Sequence, residues 1–456
     1  MKIDSKIKRA LALGTCACML FSVSGCGKKG DYVHGKKGYY SQIDNGVSTE
    51  VHNQGAYGNC WAHATNDAIR LSYILKNGKD VPITVDEIME ITMGADKTEG
   101  LITTNKGQEK NIGGSSYIAA WALSNGCGGY VLTEEKVLSS AAMGQYHGKE
   151  YGFLSNRATR EQLQELIRSE GALLAIMNIG TGIRKTHGYS TIYDESMAAE
   201  KSDIGFPSRY FTHEVVIVGW DDNFPKSYFG EEFGVTPPSE NGAWLLKDSG
   251  GNNSGDDGYY WVSYESPMVF TDLMQVSDKY KEVVHYETSA LGGIRTGEET
   301  TVANVFHHKG QLAAVGTYVG ITEGNLDPEL LWGTPDDTRI RIEIRDANME
   351  KVLATKECEF DFEGYYVIEL DTPIEVDDFS VVVTYHAAAP VEVCDVESFE
   401  AGEETIGKRQ YRTTSEKGES FVLVNGEWMD LSDMENCEAL GYDYPLNNCC
   451  IKALFS

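Results

Sequence analysis

The apolar positions that follow Cys60 keep a helical period. Trp61, Ala64, Ala68, Leu71 and Leu75 recur at spacings of three, four, three and four. That pattern predicts a helix from Cys60 to Lys76 with one stripe facing a core. Asn77-Gly78 supplies its stop, because glycine tolerates the left-handed conformation that ends helices. Ser116–Ser124 and Arg160–Ser169 carry further helical patterns, whereas "HEVVIVGW" from His213 and "GYYWVSY" from Gly258 read as strands. Past residue 268 the character changes. Short alternating segments such as "TRIRIEIRD", "GYYVIELD" and "FSVVVTYH" are punctuated by Gly, Asp and Pro, which predicts an antiparallel β-sandwich. The expected class is α+β, with a mixed half ending near residue 268 and an all-β half after it.

The first residues read as a processing segment and not as part of the fold. Lys2, Lys6, Lys8 and Arg9 precede an apolar run from Ala10 to Val23, and "VSGC" follows at Val23–Cys26. The tetrapeptide resembles a bacterial lipobox, which implies cleavage after residue 25 and lipidation of Cys26. Residues 26–45, rich in Gly and Lys at their start, would form a tether. The expected location is the extracellular face of a bacterial membrane, with contact through the lipid anchor alone.

Charge narrows the partners. The 456 residues hold 39 Lys and Arg against 69 Asp and Glu; without residues 1–25 the balance is 35 against 68, a formal charge of −33. Such a surface repels nucleic acid, so no DNA or RNA partner is expected. Ten cysteines are present, of which Cys16, Cys18 and Cys26 belong to the leader. Cys127, Cys358, Cys394, Cys437, Cys449 and Cys450 permit fifteen disulfide pairings in an exported protein, and the spacing selects none of them. No CxxC pair suggests zinc, and neither a metal nor a cofactor is expected.

Cys60 lies where the helix begins, in "HNQGAYGNCWAHATNDAIRL". A thiol at a helix N-terminus feels the positive end of the dipole, which favours the nucleophilic thiolate. The same position also suits a small buried residue. A nucleophile needs a base and the base an orienting group. His213 opens an apolar strand that would pin its imidazole, and Asp248 follows a second strand in "GAWLLKDSGG". Taken alone, His213 fits a structural role equally well.

Together these segments resemble the papain family of cysteine peptidases. The nucleophile motif corresponds to Gln54-Gly55 and Gly58-Asn59-Cys60-Trp61-Ala62. The histidine segment corresponds to His213–Gly219, and the third motif to Trp244, Lys247, Ser249, Gly251 and Asp257-Gly258-Tyr259. A Gly-Gly pair lining the family's substrate cleft is similar to Gly113-Gly114. The resemblance implies a two-lobe catalytic domain, helical lobe plus β-barrel-like lobe, over residues 46–268. It implies Cys60 as nucleophile, His213 as base, Gln54 as donor to the oxyanion, Asp248 as the group orienting His213, and a peptide or protein as substrate. Trp61, Trp244 and Tyr259 read as packing, as does His63.

Two departures stand out. Asp248 occupies the family's Asn position, which adds a charge expected to raise the His213 pKa. Gly250 replaces a Trp that shields the His–Asn hydrogen bond, and a wetter, weaker bond is expected. Tyr57 replaces a commonly disulfide-bonded Cys. About thirty residues separate Cys26 from Gln54, too few for a folded inhibitory prosegment. Residues 269–456 resemble the lectin-like β-sandwich that follows some secreted papain-like domains, through "ANVFHHKGQLAAVGTYV", "GESFVLVNGEWMDLSD" and "NNCCIKALF". A carbohydrate or other cell-surface ligand for this half is one reading, with Trp332 and Trp428 either in the core or at a binding face. A surface-anchored cysteine endopeptidase is the leading function; a non-catalytic adhesin or capture protein on a degenerate papain fold is the alternative, and a transacylase would use the same thiol.

Overall fold

The computed structural model describes residues 32–92, 102–104, 113–114, 116–124, 147–153, 158–179, 182–198, 213–287, 291–321, 324–325, 337–392, 396–401, 404–410, 415–444 and 446–456. The expected leader, the lipidation residue Cys26, Cys127, Trp332 and Cys394 lie outside them.

Helix α1 spans Cys60–Asn77 and stops at Gly78, whose φ of 67° is left-handed and whose N–H closes on the Ile74 carbonyl. Its Trp61, Ala64, Ala68 and Leu71 are buried, as the spacing predicts. Helices α2 (Val85–Thr92), α3 (Ser116–Ser124) and α4 (Arg160–Ser169) follow, the last started by a capping box in which Thr159 and Gln162 satisfy each other's backbone N–H.

The His213–Asp221 strand organises the catalytic half. It pairs antiparallel with Leu173–Met177 on one side and Ala243–Lys247 on the other. Val216 and Val218 share a core with the α1 residues, whereas Val215, Ile217 and Trp220 share another with Leu163 and Ile167 of α4. Burial on both faces explains why Val215–Trp220 read as a continuous apolar run.

In the C-terminal half, Thr300–Val319 and Gly364–Tyr385 pair antiparallel along most of their length, with register shifts at His307/Gly310 and Leu312/Ala314. "GYYVIELD" and "FSVVVTYH", separate segments by pattern, are thus the two ends of one 22-residue strand. Such shifts let a long strand bend between packed layers. Phe306, Val315, Ile342, Phe379, Val383 and Tyr385 fill the core.

The halves are stitched together. The His147–Phe153 strand pairs with Met268–Ser277 and with Gly364–Tyr366, and Tyr318, Ile321 and Tyr365 join the core that holds α1. Among the described residues Cys60, Cys358, Cys437, Cys449 and Cys450 are free thiols. Trp428 is half-buried and sits outside the buried core.

Candidate active site

Cys60 opens α1. Asn59 accepts from the Ala62 and His63 N–H groups through its carbonyl but places no side chain over the helix start, so Cys60 stands at the positive end of the helix dipole. His213 opens the central strand, opposite Met177. The Ala243–Lys247 strand runs antiparallel to it with Lys247 opposite Val216, so Asp248 emerges at the His213 end. His213 Nε2 lies 2.7 Å from Asp248 Oδ1, and the imidazole lies near enough to the Cys60 thiol for each to shift the other's titration. The ring has two nitrogens, so Nδ1 is the one left for Cys60.

These contacts tune one another. Burial works to raise the Cys60 pKa, but the hydrogen bond and charge of His213, with N–H groups of Glu214 and Trp61, outweigh it and hold the thiol below its ordinary value. Burial works to lower His213, but Asp248 and Cys60 lift it to about 9. The pair is thereby biased towards thiolate and imidazolium at neutral pH.

The absence of the family's Trp at position 250 does not leave the His213–Asp248 bond wet. The two side chains are 15% and 3% exposed. Ser254 fills the space: a Cβ on Gly250 would fall 2.7 Å from both Asp248 Oδ2 and Ser254 Oγ. The Gly250 N–H adds a second bond to Asp248 Oδ2 at 3.2 Å. A side chain at 250 and this packing of Ser254 exclude each other, which explains the glycine and corrects the expectation of a solvent-weakened bond.

Gln54 is held on both ends of its amide. Its Nε2 donates to the Tyr57 carbonyl at 2.8 Å, and Ser249 donates its hydroxyl to Oε1. A carbonyl can only accept, so the Tyr57 contact fixes which amide atom is nitrogen. The backbone repeats the link, with Gln54 N–H on the Ser249 carbonyl. The amide therefore sits on the loop entering α1, one N–H used and one left to donate. Ser249, matched in the sequence without a role, proves to be the residue that orients Gln54.

Gly114 packs on the indole of Trp61: a Cβ there would come within 2.6 Å of the ring. The Gly113-Gly114 backbone is thus brought against the residue that follows Cys60. Behind the site, Lys247 Nζ donates to Asp67 Oδ1 of α1 at 2.6 Å and to the Glu50 carbonyl at 2.8 Å, both charges almost fully buried. This ties the helix of Cys60 to the strand preceding Asp248. His63 is buried, its ring 5.2 Å from that of His52. Among the described residues no group of three or more His, Cys, Asp or Glu is arranged to hold a metal.

Comparison with known proteins agrees with this geometry. Residues 40–271 match the papain family cysteine protease family and residues 284–454 match the lectin-like domain family. Mouse cathepsin J is 27% identical over 49% of this chain and 60% of its own length, and bovine cathepsin S is 26% identical over 49% and 59%. The chain thus spans about 60% of the length of these curated relatives. Among solved structures, the clostridial cysteine protease Cwp84 after propeptide cleavage superposes with a TM-score of 0.63 at 19% identity, covering 92% of this chain and 99% of that one. The cysteine protease and lectin-like domains of Cwp84, a surface layer associated protein of Clostridium difficile, give 0.63 at 18%, covering 94% and 91%. At this identity the likeness speaks for a shared two-part fold.

Proposed function

Because the chain belongs to the papain family of cysteine proteases, we propose that it is a cysteine endopeptidase acting through a Cys60 acyl-enzyme. The observation that carries this reading is the chain of contacts from Cys60 to His213 to Asp248, with the 2.7 Å bond at its far end. Cys60, as thiolate, attacks the scissile carbonyl. The oxyanion that forms takes the second N–H of Gln54 and the Cys60 backbone N–H. Imidazolium His213 gives its proton to the departing amine, then as a neutral base takes one from the water that hydrolyses the thioester. Asp248 holds the ring in place and stabilises its charge. Gly113-Gly114 offers a backbone edge along which an extended substrate can lie.

Hydrolysis of an unfolded protein by the purified chain, abolished in Cys60→Ala, tests the reading. A protein that binds such chains without cutting them would instead be the capture protein of the alternative reading.

Two further elements belong to this proposal. Lipidation at Cys26 would fix the cleft's direction. Tyr32 and His34 both hydrogen-bond Asp221, and Tyr39–Ser41 pairs with the Gly219–Asp221 end of the strand that starts at His213. Nine residues of strand place that end about 27 Å from the catalytic histidine. Few residues separate Cys26 from Tyr32, so an anchored protein would present its cleft away from the membrane. The test is to recover the exported protein with membranes and find a diacylated Cys26; an unmodified soluble form cut elsewhere would contradict it. The C-terminal domain would hold a carbohydrate or other surface ligand close to the peptidase, and binding of the full chain to cell-wall glycans tests that.

A further inference from the structure

Glu214 and Asp272 are carboxylic acids in the middle of apolar strands, 5% and 2% exposed. Ser116 joins them, its N–H donating to Glu214 Oε2 at 3.3 Å and its hydroxyl to Asp272 Oδ2 at 2.6 Å. The remaining oxygens, Glu214 Oε1 and Asp272 Oδ1, are buried without a hydrogen-bond partner among the described residues. The Thr271 hydroxyl lies near enough to favour the ionised form of Asp272 but is out of hydrogen-bonding geometry.

Their position is informative. Glu214 follows His213, and its backbone lies near enough to the Cys60 sulfur to favour the thiolate. It shares the strand face of Val216 and Val218, which looks towards α1. Ser116 comes two residues after Gly114. The two acids thus lie where the lobes meet, between the Gly113-Gly114 edge and Cys60. The proposed mechanism gives neither acid a task.

We propose that Glu214 and Asp272 form an acidic subsite that selects substrates with a lysine or arginine on the acyl side of the scissile bond, an assignment that rests on the peptidase reading above. Leaving two carboxyl oxygens buried and unpaired is unfavourable, and a side chain made only of donors satisfies both. Charge points the same way. Burial, with Asp272 and Cys60 nearby, pushes Glu214 well above the usual carboxyl range, and burial pushes Asp272 up to about 6. Burial disfavours the charged form of both acids, and an incoming cation would offset that penalty. The formal charge of −30 on the whole chain would steer basic substrates towards it.

The test uses the full chain at pH 7 with peptides that differ only in whether the acyl-side residues are Lys, Arg, Leu or Glu. The expected kcat/KM for Lys or Arg peptides exceeds that for Leu by at least tenfold, and Glu214→Gln or Asp272→Asn lowers that ratio about tenfold. A second measurement needs no variant: a lysyl-peptidyl epoxide should label Cys60 of the wild-type chain at least tenfold faster than a leucyl one. Equal labelling by the two overturns the subsite and leaves the peptidase reading standing. Failure of Cys60 to react with either overturns both.

Discussion

Asp248 lies 2.7 Å from His213 with its carboxylate 3% exposed, so a full negative charge faces the imidazole from inside the protein. A neutral amide at that place would orient the ring equally well but would not favour its protonated form. The charge helps raise His213 to about 9. The active thiolate–imidazolium pair exists above the Cys60 pKa and below that of His213, so its upper limit falls when the imidazolium is less favoured. In Asp248→Asn the alkaline limb of kcat/KM should therefore move to lower pH while the enzyme stays active. Asp248→Ala loses the bond as well and should cost about tenfold or more in rate. A pH–rate profile of the three proteins decides it; an Ala variant equal to wild type at every pH removes Asp248 from the site.

The buried Lys247–Asp67 pair should matter to stability through its integrity and not its existence. Asp67→Ala removes the carboxylate 2.6 Å from a buried ammonium, and it should destabilise the catalytic half by about 3–5 kcal/mol. Replacing both partners by apolar residues of similar volume, Lys247→Met with Asp67→Leu, should recover most of that loss. Urea unfolding of the single and double variants measures the difference. An Asp67→Ala protein as stable as wild type would mean that Thr49 and the Glu50 carbonyl suffice to hold the ammonium.

Ser249 and Gln54 should act as a unit. Gln54→Ala removes an oxyanion donor and should lower kcat about a hundredfold or more. Ser249→Ala leaves the donor but frees one end of the amide, for an expected loss of about tenfold in kcat with little change in KM. Steady-state kinetics of both variants and of their combination checks this: if the two act through the same amide, the double variant loses no more than Gln54→Ala. A further tenfold loss on adding Ser249→Ala would show that Ser249 acts elsewhere.

The sequence carried the site's local parts well, because each has a short-range cause. The helix from Cys60 ends at Gly78, as Asn77-Gly78 requires, and Ser116–Ser124 and Arg160–Ser169 have the bounds their patterns predict. His213 and Asp248 sit at the ends of the apolar strands that predicted them. What escaped was long-range. The His147–Phe153 strand joins the halves by backbone pairing, which leaves little trace in side-chain pattern. The shielding of Asp248 with glycine at 250 depends on where Ser254 folds, in the turn between Gly251 and Asp257, and no motif residue specifies that. Glu214 and Asp272 were legible only as acids interrupting "HEVVIVGW" and "VFTDLMQV", and the bonds to Ser116 that give them meaning cross between lobes.

The central claim is that Cys60 is an activated nucleophile. The most direct measurement is to incubate the reduced protein at neutral pH with an epoxide affinity label of papain-like enzymes and to locate the adduct by mass spectrometry. One adduct, on Cys60, is predicted, with Cys358, Cys437, Cys449 and Cys450 unmodified because burial raises each of their thiols above the ordinary pKa. His213→Ala should slow the reaction at Cys60 at least tenfold. Label spread over the other cysteines, or a Cys60 that reacts no faster than they do, would contradict the account.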